Sequence, residues 1–160
     1  MELRRARPDE LAAVGELTVA AYADFTLGPG DPYVERLRDA ASRDAQGELW
    51  VAVEDGELLG CVTCCPPGSP WRELAGEHEG EFRMLAVAPA ARGRGAGAAL
   101  AALCEERARE HGATAMVLSS LPDMTHAHRI YTRLGYRRDP SRDWDPVPGV
   151  HLIAFAKELS

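Results

Sequence analysis

Three glycines at alternate positions, Gly93, Gly95 and Gly97, stand between the apolar run Leu85-Ala86-Val87-Ala88 and an alanine-rich stretch that starts at Ala98. Glycines leave backbone N–H groups uncovered. Where such a turn opens a helix, the positive end of the helix dipole points at the same place. The chemistry this allows is phosphate binding. Arg92 and Arg94 add positive charge, and no carboxylate occurs from Phe82 to Cys104 in a chain whose net charge is -7. Gly93-Arg94-Gly95-Ala96-Gly97-Ala98 also satisfies the G-x-G-x-x-A form of the dinucleotide fingerprint, so a nicotinamide oxidoreductase is one reading. It fits poorly: Pro89 and several residues separate the turn from its strand, and the next strand ends in Ser119-Ser120 without an acid to hold a ribose. A Walker loop is excluded, since no Gly-Lys-Ser/Thr exists.

Cys61, Cys64, Cys65 and Cys104 raise a zinc or redox reading, Cys61 and Cys64 having C-x-x-C spacing. Cys61, Cys64 and Cys65 lie in a strand-like run, where they point to both faces and close no tetrahedral site. Pro66-Pro67 follows instead of the helix N-terminus that would activate a thiol. The expectation is four small buried hydrophobes in a reducing compartment, with no metal site.

The elements that must hold the glycine turn can be read from pattern. Leu3 to Ala6 is a short strand, and Pro8-Asp9-Glu10 opens a helix with Leu11, Val14 and Leu17 on its apolar face. A second helix runs from Asp31 or Pro32 to about Ala45. Leu49 to Val53 and Leu58 to Cys65 flank Asp55-Gly56 and form an antiparallel hairpin. Pro66 to Gly80 is loop. A strand from Glu81 to Val87, a helix from Arg94 to His111 and a strand from Thr114 to Ser120 make a βαβ unit. A helix from Met124 to Leu134 and strands at Tyr136 to Arg138 and His151 to Lys157 complete the chain.

Arg92-x-x-Gly95-x-Gly97 resembles the acetyl-coenzyme A binding motif, Arg/Gln-x-x-Gly-x-Gly/Ala, of the GNAT superfamily of N-acetyltransferases. Ala127-x-x-x-Tyr131-x-x-x-Gly135-Tyr136 is similar to that family's later helix motif, and the order of elements agrees along almost the whole chain. The resemblance implies an α/β GNAT fold, with a mixed sheet of about seven strands splayed at its middle and about four flanking helices. It implies acetyl-coenzyme A as co-substrate, in the cleft between strands Glu81 to Val87 and Thr114 to Ser120. Its pantetheine arm would pair with backbone near Leu85 and Val87. Its phosphates would lie on Arg92, Gly93, Arg94, Gly95, Ala96, Gly97 and Ala98. One departure is Met124, where many members carry an Asn that contacts pantetheine.

The reaction implied is transfer of acetyl to a primary amine by direct attack in a ternary complex. The alternative is a non-catalytic acyl-coenzyme A binding or sensor protein of the same fold. An alkyl ammonium has a pKa near ~10.4 and must lose a proton before it attacks. The resemblance assigns Glu81 as base, Leu85 N–H as donor to the acetyl oxygen and Tyr131 as acid for the leaving thiolate. Strand alternation sets Glu81, Arg83 and Leu85 on one face. Glu79 and His78 are reserve bases, while His126 and His128 read as helix-surface residues. The loop holding Trp71, Glu73, Glu77, His78 and Glu79 reads as an acidic mouth with one aromatic face, which favours a cationic small-molecule or peptide amine.

The 160 residues suit one domain, residues 2–160, and 25 acidic against 18 basic side chains argue against nucleic acid or an anionic membrane as partner. No apolar run approaches the ~20 residues of a membrane span, and Arg4, Arg5 and Arg7 lead into Pro8-Asp9-Glu10, not an apolar signal segment. A cytoplasmic protein is expected, and a homodimer is compatible with everything above.

Overall fold

The computed structural model describes all residues from Met1 to Ser160. Its frame is an eight-stranded sheet in the order β1-β2-β3-β4-β5-β8-β6, with β7 on the edge of β8. The strands are β1 (Glu2–Arg5), β2 (Glu48–Glu54), β3 (Glu57–Cys65), β4 (Glu79–Val87), β5 (Ala115–Ser120), β6 (Arg137–Arg138), β7 (Trp144–Val147) and β8 (Val150–Glu158). Asp55 and Gly56 both have positive φ, 50° and 77°, which is the two-residue turn whose twist suits the β2–β3 hairpin. Only β4 and β5 are parallel, and α4 (Ala96–Glu110) makes the crossover between them. The edge strand β7, with Pro146 inside it, carries no alternating apolar signal and was not expected.

Five α-helices cover the two faces. On one, α1 (Leu11–Ala21) and α2 (Pro32–Arg38) with α3 (Ala40–Gln46) supply Val14, Leu37 and Ala40 to a core with Val51, Cys61, Trp71 and Met84. On the other, α4 and α5 (Thr125–Arg133) supply Leu100, Cys104 and Tyr131 to a core with Phe82, Leu85, Met116 and Phe155. The single helix expected from about residue 32 to 45 is broken at Asp39, whose carboxylate accepts from the N–H and hydroxyl of Ser42 and so starts α3. Arg43 of α3 then reaches back and donates to the carbonyls of Arg36 and Leu37 (2.8 and 2.9 Å), closing the end of α2.

The cysteine expectation fails in part. Cys64 on β3 and Cys104 on α4 form a disulfide, with Cα atoms 5.7 Å apart, while Cys61 and Cys65 are free and buried. The run Gly60 to Cys65 is buried on both faces, so pattern alone did not reveal that Cys64 faces α4. The same helix is tied down twice more. Arg107 forks onto Glu48 of β2, and the buried Glu105 receives the Tyr136 hydroxyl and the Lys157 ammonium.

The β4–β5 ladder covers only Glu79, Gly80 and Glu81 against Ala115, Met116 and Val117. Beyond that point β4 pairs with β3 alone and β5 with β8 alone, so the sheet opens as a wedge towards the start of α4. No helix is long and apolar enough to cross a membrane.

Candidate active site

At the wide end of the wedge, β4 runs through a single 3-10 turn (Pro89–Ala91) into Arg92 and the glycine turn. Gly93 and Gly95 have φ of 85° and 82°, and Gly95 caps α4 in the left-handed conformation without a side-chain bond. The first bond of α4 is Ala99 N–H to Gly95 C=O, so the N–H groups of Ala96, Gly97 and Ala98 have no acceptor in the chain. A Cβ at Gly93 or Gly95 would meet nothing within 4 Å, whereas one at Gly97 would press on Ile130 and Val87. The first two glycines thus leave an open cradle of donors, and the third lets α4 pack against α5. Arg92 is exposed, and Arg94 reaches Glu54 of the hairpin at 3.5 Å.

In the middle of the wedge β4 bulges. Arg83 pairs with Thr63 and Ala86 with Cys61, which leaves Met84 and Leu85 opposite Val62 alone, and Met84 has φ 52°. The extra residue corrects the expected alternation. Glu81, Arg83 and Met84 belong to the α1–α2 face, and Leu85 turns to the α4–α5 face beside Phe82. With β5 already peeled away, the backbone at Met84 and Leu85 has no register partner on the β5 side. It is free to pair with an extended ligand.

Tyr131 stands on α5 in an aromatic cluster, with ring centroids 5.9 Å from Phe82, 6.0 Å from Tyr136 and 5.7 Å from Phe155. Such edge contacts are worth about 0.5–1.5 kcal/mol each and fix the ring. Its hydroxyl makes no hydrogen bond, yet it is not among the fully enclosed unpartnered side-chain atoms, which are Arg43 Nε and Thr63 Oγ1. Burial pushes its phenol well above the usual range, which keeps it protonated. His128, expected at the helix surface, is half-buried instead: its Nε2 lies 2.9 Å from Ser120 Oγ, its ring stacks on Phe155, and burial lowers its pKa. His126 is exposed as expected.

Glu81 sits where the strands part and is 2% exposed. Its Oε1 accepts the N–H groups of Glu73, Leu74 and Ala75 at 3.0 Å, and its Oε2 accepts Glu73 N–H again at 3.1 Å. Charge-assisted bonds of this kind make Glu81 the anchor of the loop before β4. Other loop carboxylates are occupied too. Glu79 pairs with Arg142 at 2.8 Å, and Glu73 meets Arg83 Nε at 3.1 Å. Burial raises the Glu73 carboxyl above the ordinary 4.5, Arg83 pulls it down and Glu81 adds to the rise. Trp71 is 7% exposed, with Arg36 at 5.0 Å and Arg83 at 5.4 Å from its ring. The expected acidic mouth with a free aromatic face is therefore not formed: Glu73 and Glu79 are paired with arginines, Glu77 is exposed with only His78 near it, and guanidiniums lie against the Trp71 ring. Around these groups stand Tyr22 and Tyr33, which sequence reasoning missed. The one signal on offer was Arg83, a charge within the otherwise apolar run from Phe82 to Val87.

A recess of about 230 Å³ lies at the closed end of the wedge, among Cys64, Cys104, Arg72, Glu79, Arg107 and His111. None of its lining residues belongs to the glycine turn.

A family model described as acetyltransferase (GNAT) family matches residues 14–136, and the chain belongs to that family. Among relatives, the mycothiol acetyltransferase of Cellulomonas flavigena is 35% identical over 116 residues, 67% of this chain and 33% of that protein. The chain thus spans about a third of that relative's length. The aminoalkylphosphonate N-acetyltransferase of Salmonella typhimurium is 41% identical over 95 residues, 58% of each chain. Among solved structures, the PaiA N-acetyltransferase of Thermoplasma acidophilum in complex with coenzyme A aligns with a TM-score of 0.72 at 14% identity, over 99% of this chain and 98% of that one.

Proposed function

We propose that residues 2–160 form one N-acetyltransferase domain that moves an acetyl group from acetyl-coenzyme A to a primary amine by direct attack. The observation that carries this is the wedge itself. One opening brings together free helix N–H donors, backbone at Met84 and Leu85 unpaired on the β5 side, and an unpartnered tyrosine hydroxyl. The relatives' names support the same chemistry.

In this reading Ala96, Gly97 and Ala98 N–H groups hold the pyrophosphate, with Arg92 and Arg94 as added charge. Leu85 and Val87 hold the pantetheine arm as a neighbouring strand would. Leu85 N–H faces the acetyl oxygen where negative charge develops, a contribution of roughly 3 kcal/mol. Tyr131, kept protonated by burial, donates its proton to the leaving sulfur. Acetyl-coenzyme A supplies the activated acyl group.

Glu81 is the proposed base. A second reading is favoured by its occupied oxygens: Glu81 holds the turn, and Glu73, whose Oε2 accepts no hydrogen bond and whose pKa burial raises, takes the amine proton. Rate profiles against pH separate the two. The variant of the true base, Glu81→Gln or Glu73→Gln, loses rate near neutrality and recovers it at high pH, where the amine deprotonates by itself.

The function as a whole is tested by thiol release with acetyl-coenzyme A and a panel of amines. Release in the purified chain supports the transferase. Tight cofactor binding with no release for any amine favours the sensor alternative.

A further inference from the structure

The cofactor loop opens on the α4–α5 face of the wedge, so an acceptor that meets the acetyl group must come from the α1–α2 face. The groups met there are Tyr22, Tyr33, Arg36, Trp71, Glu73 and Arg83. Arg83 is a strand residue with a side chain only 10% exposed. Its Nε lies on Glu73 and its Nη1 donates to the Trp71 carbonyl at 3.3 Å. The Tyr33 phenol lies beside the same guanidinium, and Arg83 Nη2 is not among the enclosed unpartnered atoms. Arg36, 5.0 Å from the Trp71 ring centroid, is exposed and has no ion-pair partner. Two guanidiniums thus stand against Glu73 and Glu81, and the Glu81 oxygens are already held by the Glu73, Leu74 and Ala75 N–H groups. No aromatic face is left for a cation, and the Tyr22 and Tyr33 phenols, raised by burial, remain donors.

From this geometry we infer that the acceptor is a small amine bearing an anionic group, carboxylate or phosphate, which Arg83 and Arg36, both beside Trp71, bind. The planar fork of arginine matches both oxyanions. Tyr33 stands beside Arg83, and Tyr22 and Tyr33 pack in the same cluster as Met84. This rests on the acetyl-transfer reading above, and it adds the acceptor class.

The test compares propylamine, β-alanine and diaminopropane, which differ in the charge of the far end, together with phosphoethanolamine. Thiol release gives kcat/KM, and calorimetry with coenzyme A present gives acceptor binding whether or not acetyl moves. The expected order is anionic over neutral over cationic, with at least tenfold between the ends. Arg36→Ala, at an exposed position, reduces the anionic-over-neutral preference about tenfold through KM, with kcat for β-alanine retained, and Arg36→Lys restores part of it. Arg83→Lys gives the larger loss if it folds. A preference for diaminopropane overturns the inference, as does an anionic-over-neutral ratio that Arg36→Ala leaves unchanged. Binding of β-alanine or phosphoethanolamine without thiol release keeps the anion site and overturns the transferase reading. Thiol release from propylamine with no binding of either anionic amine does the reverse.

Discussion

The two faces of the wedge are built on different principles. On the α4–α5 face the groups proposed to hold the ligand are backbone groups from one contiguous stretch, Leu85 to Ala98, leading into a helix fastened through a disulfide, an Arg–Glu fork and a buried Glu–Lys–Tyr trio. On the α1–α2 face they are side chains drawn from α1, α2, the loop before β4 and β4 itself, held only by hydrogen bonds, ion pairs and stacking. A ligand held by backbone tolerates change in the side chains around it. A ligand read by side chains changes when one of them does, so under the proposed function the second face is where specificity would reside.

The largest effect should come from cutting the covalent tie of the first face. Cys64 and Cys104 are separated by 40 residues, for which loop-closure entropy gives about 4 kcal/mol. Because the 230 Å³ recess reaches both cysteines, a small thiol has access to them. Reduction, or Cys104→Ser, is expected to lower the denaturation midpoint and to weaken acetyl-coenzyme A more than the acceptor. Equal midpoints with and without reductant would remove the fastening from the comparison.

Next comes the backbone cradle. Gly95→Glu places a carboxylate among the phosphate donors and is expected to weaken acetyl-coenzyme A at least a hundredfold, about 3 kcal/mol. Gly95→Ala separates charge from strain. It disturbs only the positive φ of 82°, at about 1 kcal/mol. Calorimetry showing equal affinities for Gly95→Glu and the parent would sink the loop assignment. Tyr131→Phe should follow, with kcat reduced at least tenfold and cofactor affinity within twofold, because its hydroxyl holds nothing in the resting protein. A matching loss of affinity would make Tyr131 a binding residue instead.

The asymmetry also decides what could be read before folding. The glycine turn, the strand before it and the helix after it were legible because backbone recognition leaves its mark as spacing within one segment. Met84 was opaque: a bulge inserts one residue by pairing, not by composition, and so moved Leu85 to the face opposite Glu81. The 66–80 loop was read by its formal charges, but partners 10 and 63 residues away, Arg83 for Glu73 and Arg142 for Glu79, cancel them. Cys64 and Cys104 failed for the same reason, since their contact crosses from β3 to α4.

Acid gives the smallest and most discriminating effect, because one carboxyl on each face is displaced in opposite senses. On the α4 side the Arg107 fork holds Glu48 at about 2, below the ordinary 4.5. Its stabilisation is complete above 4.5 and is lost as pH falls towards 2, and for a pair still partly reached by water about 1 kcal/mol is expected. On the α1–α2 side burial raises Glu73 above 4.5, so its folded form gains relative stability as it takes up a proton. Titrating downward from neutrality, the acceptor face should be relieved first and the cofactor face loosened afterwards. Glu73→Gln is expected to erase the early gain and leave the acid loss. Glu48→Gln is expected to lower stability at neutral pH and flatten the limb between 4.5 and 2. Urea unfolding across pH checks both variants. An acid limb unchanged in Glu48→Gln would mean that the Arg107 fork contributes nothing to seating α4, and the two faces would then differ in their ligands but not in how firmly they are held.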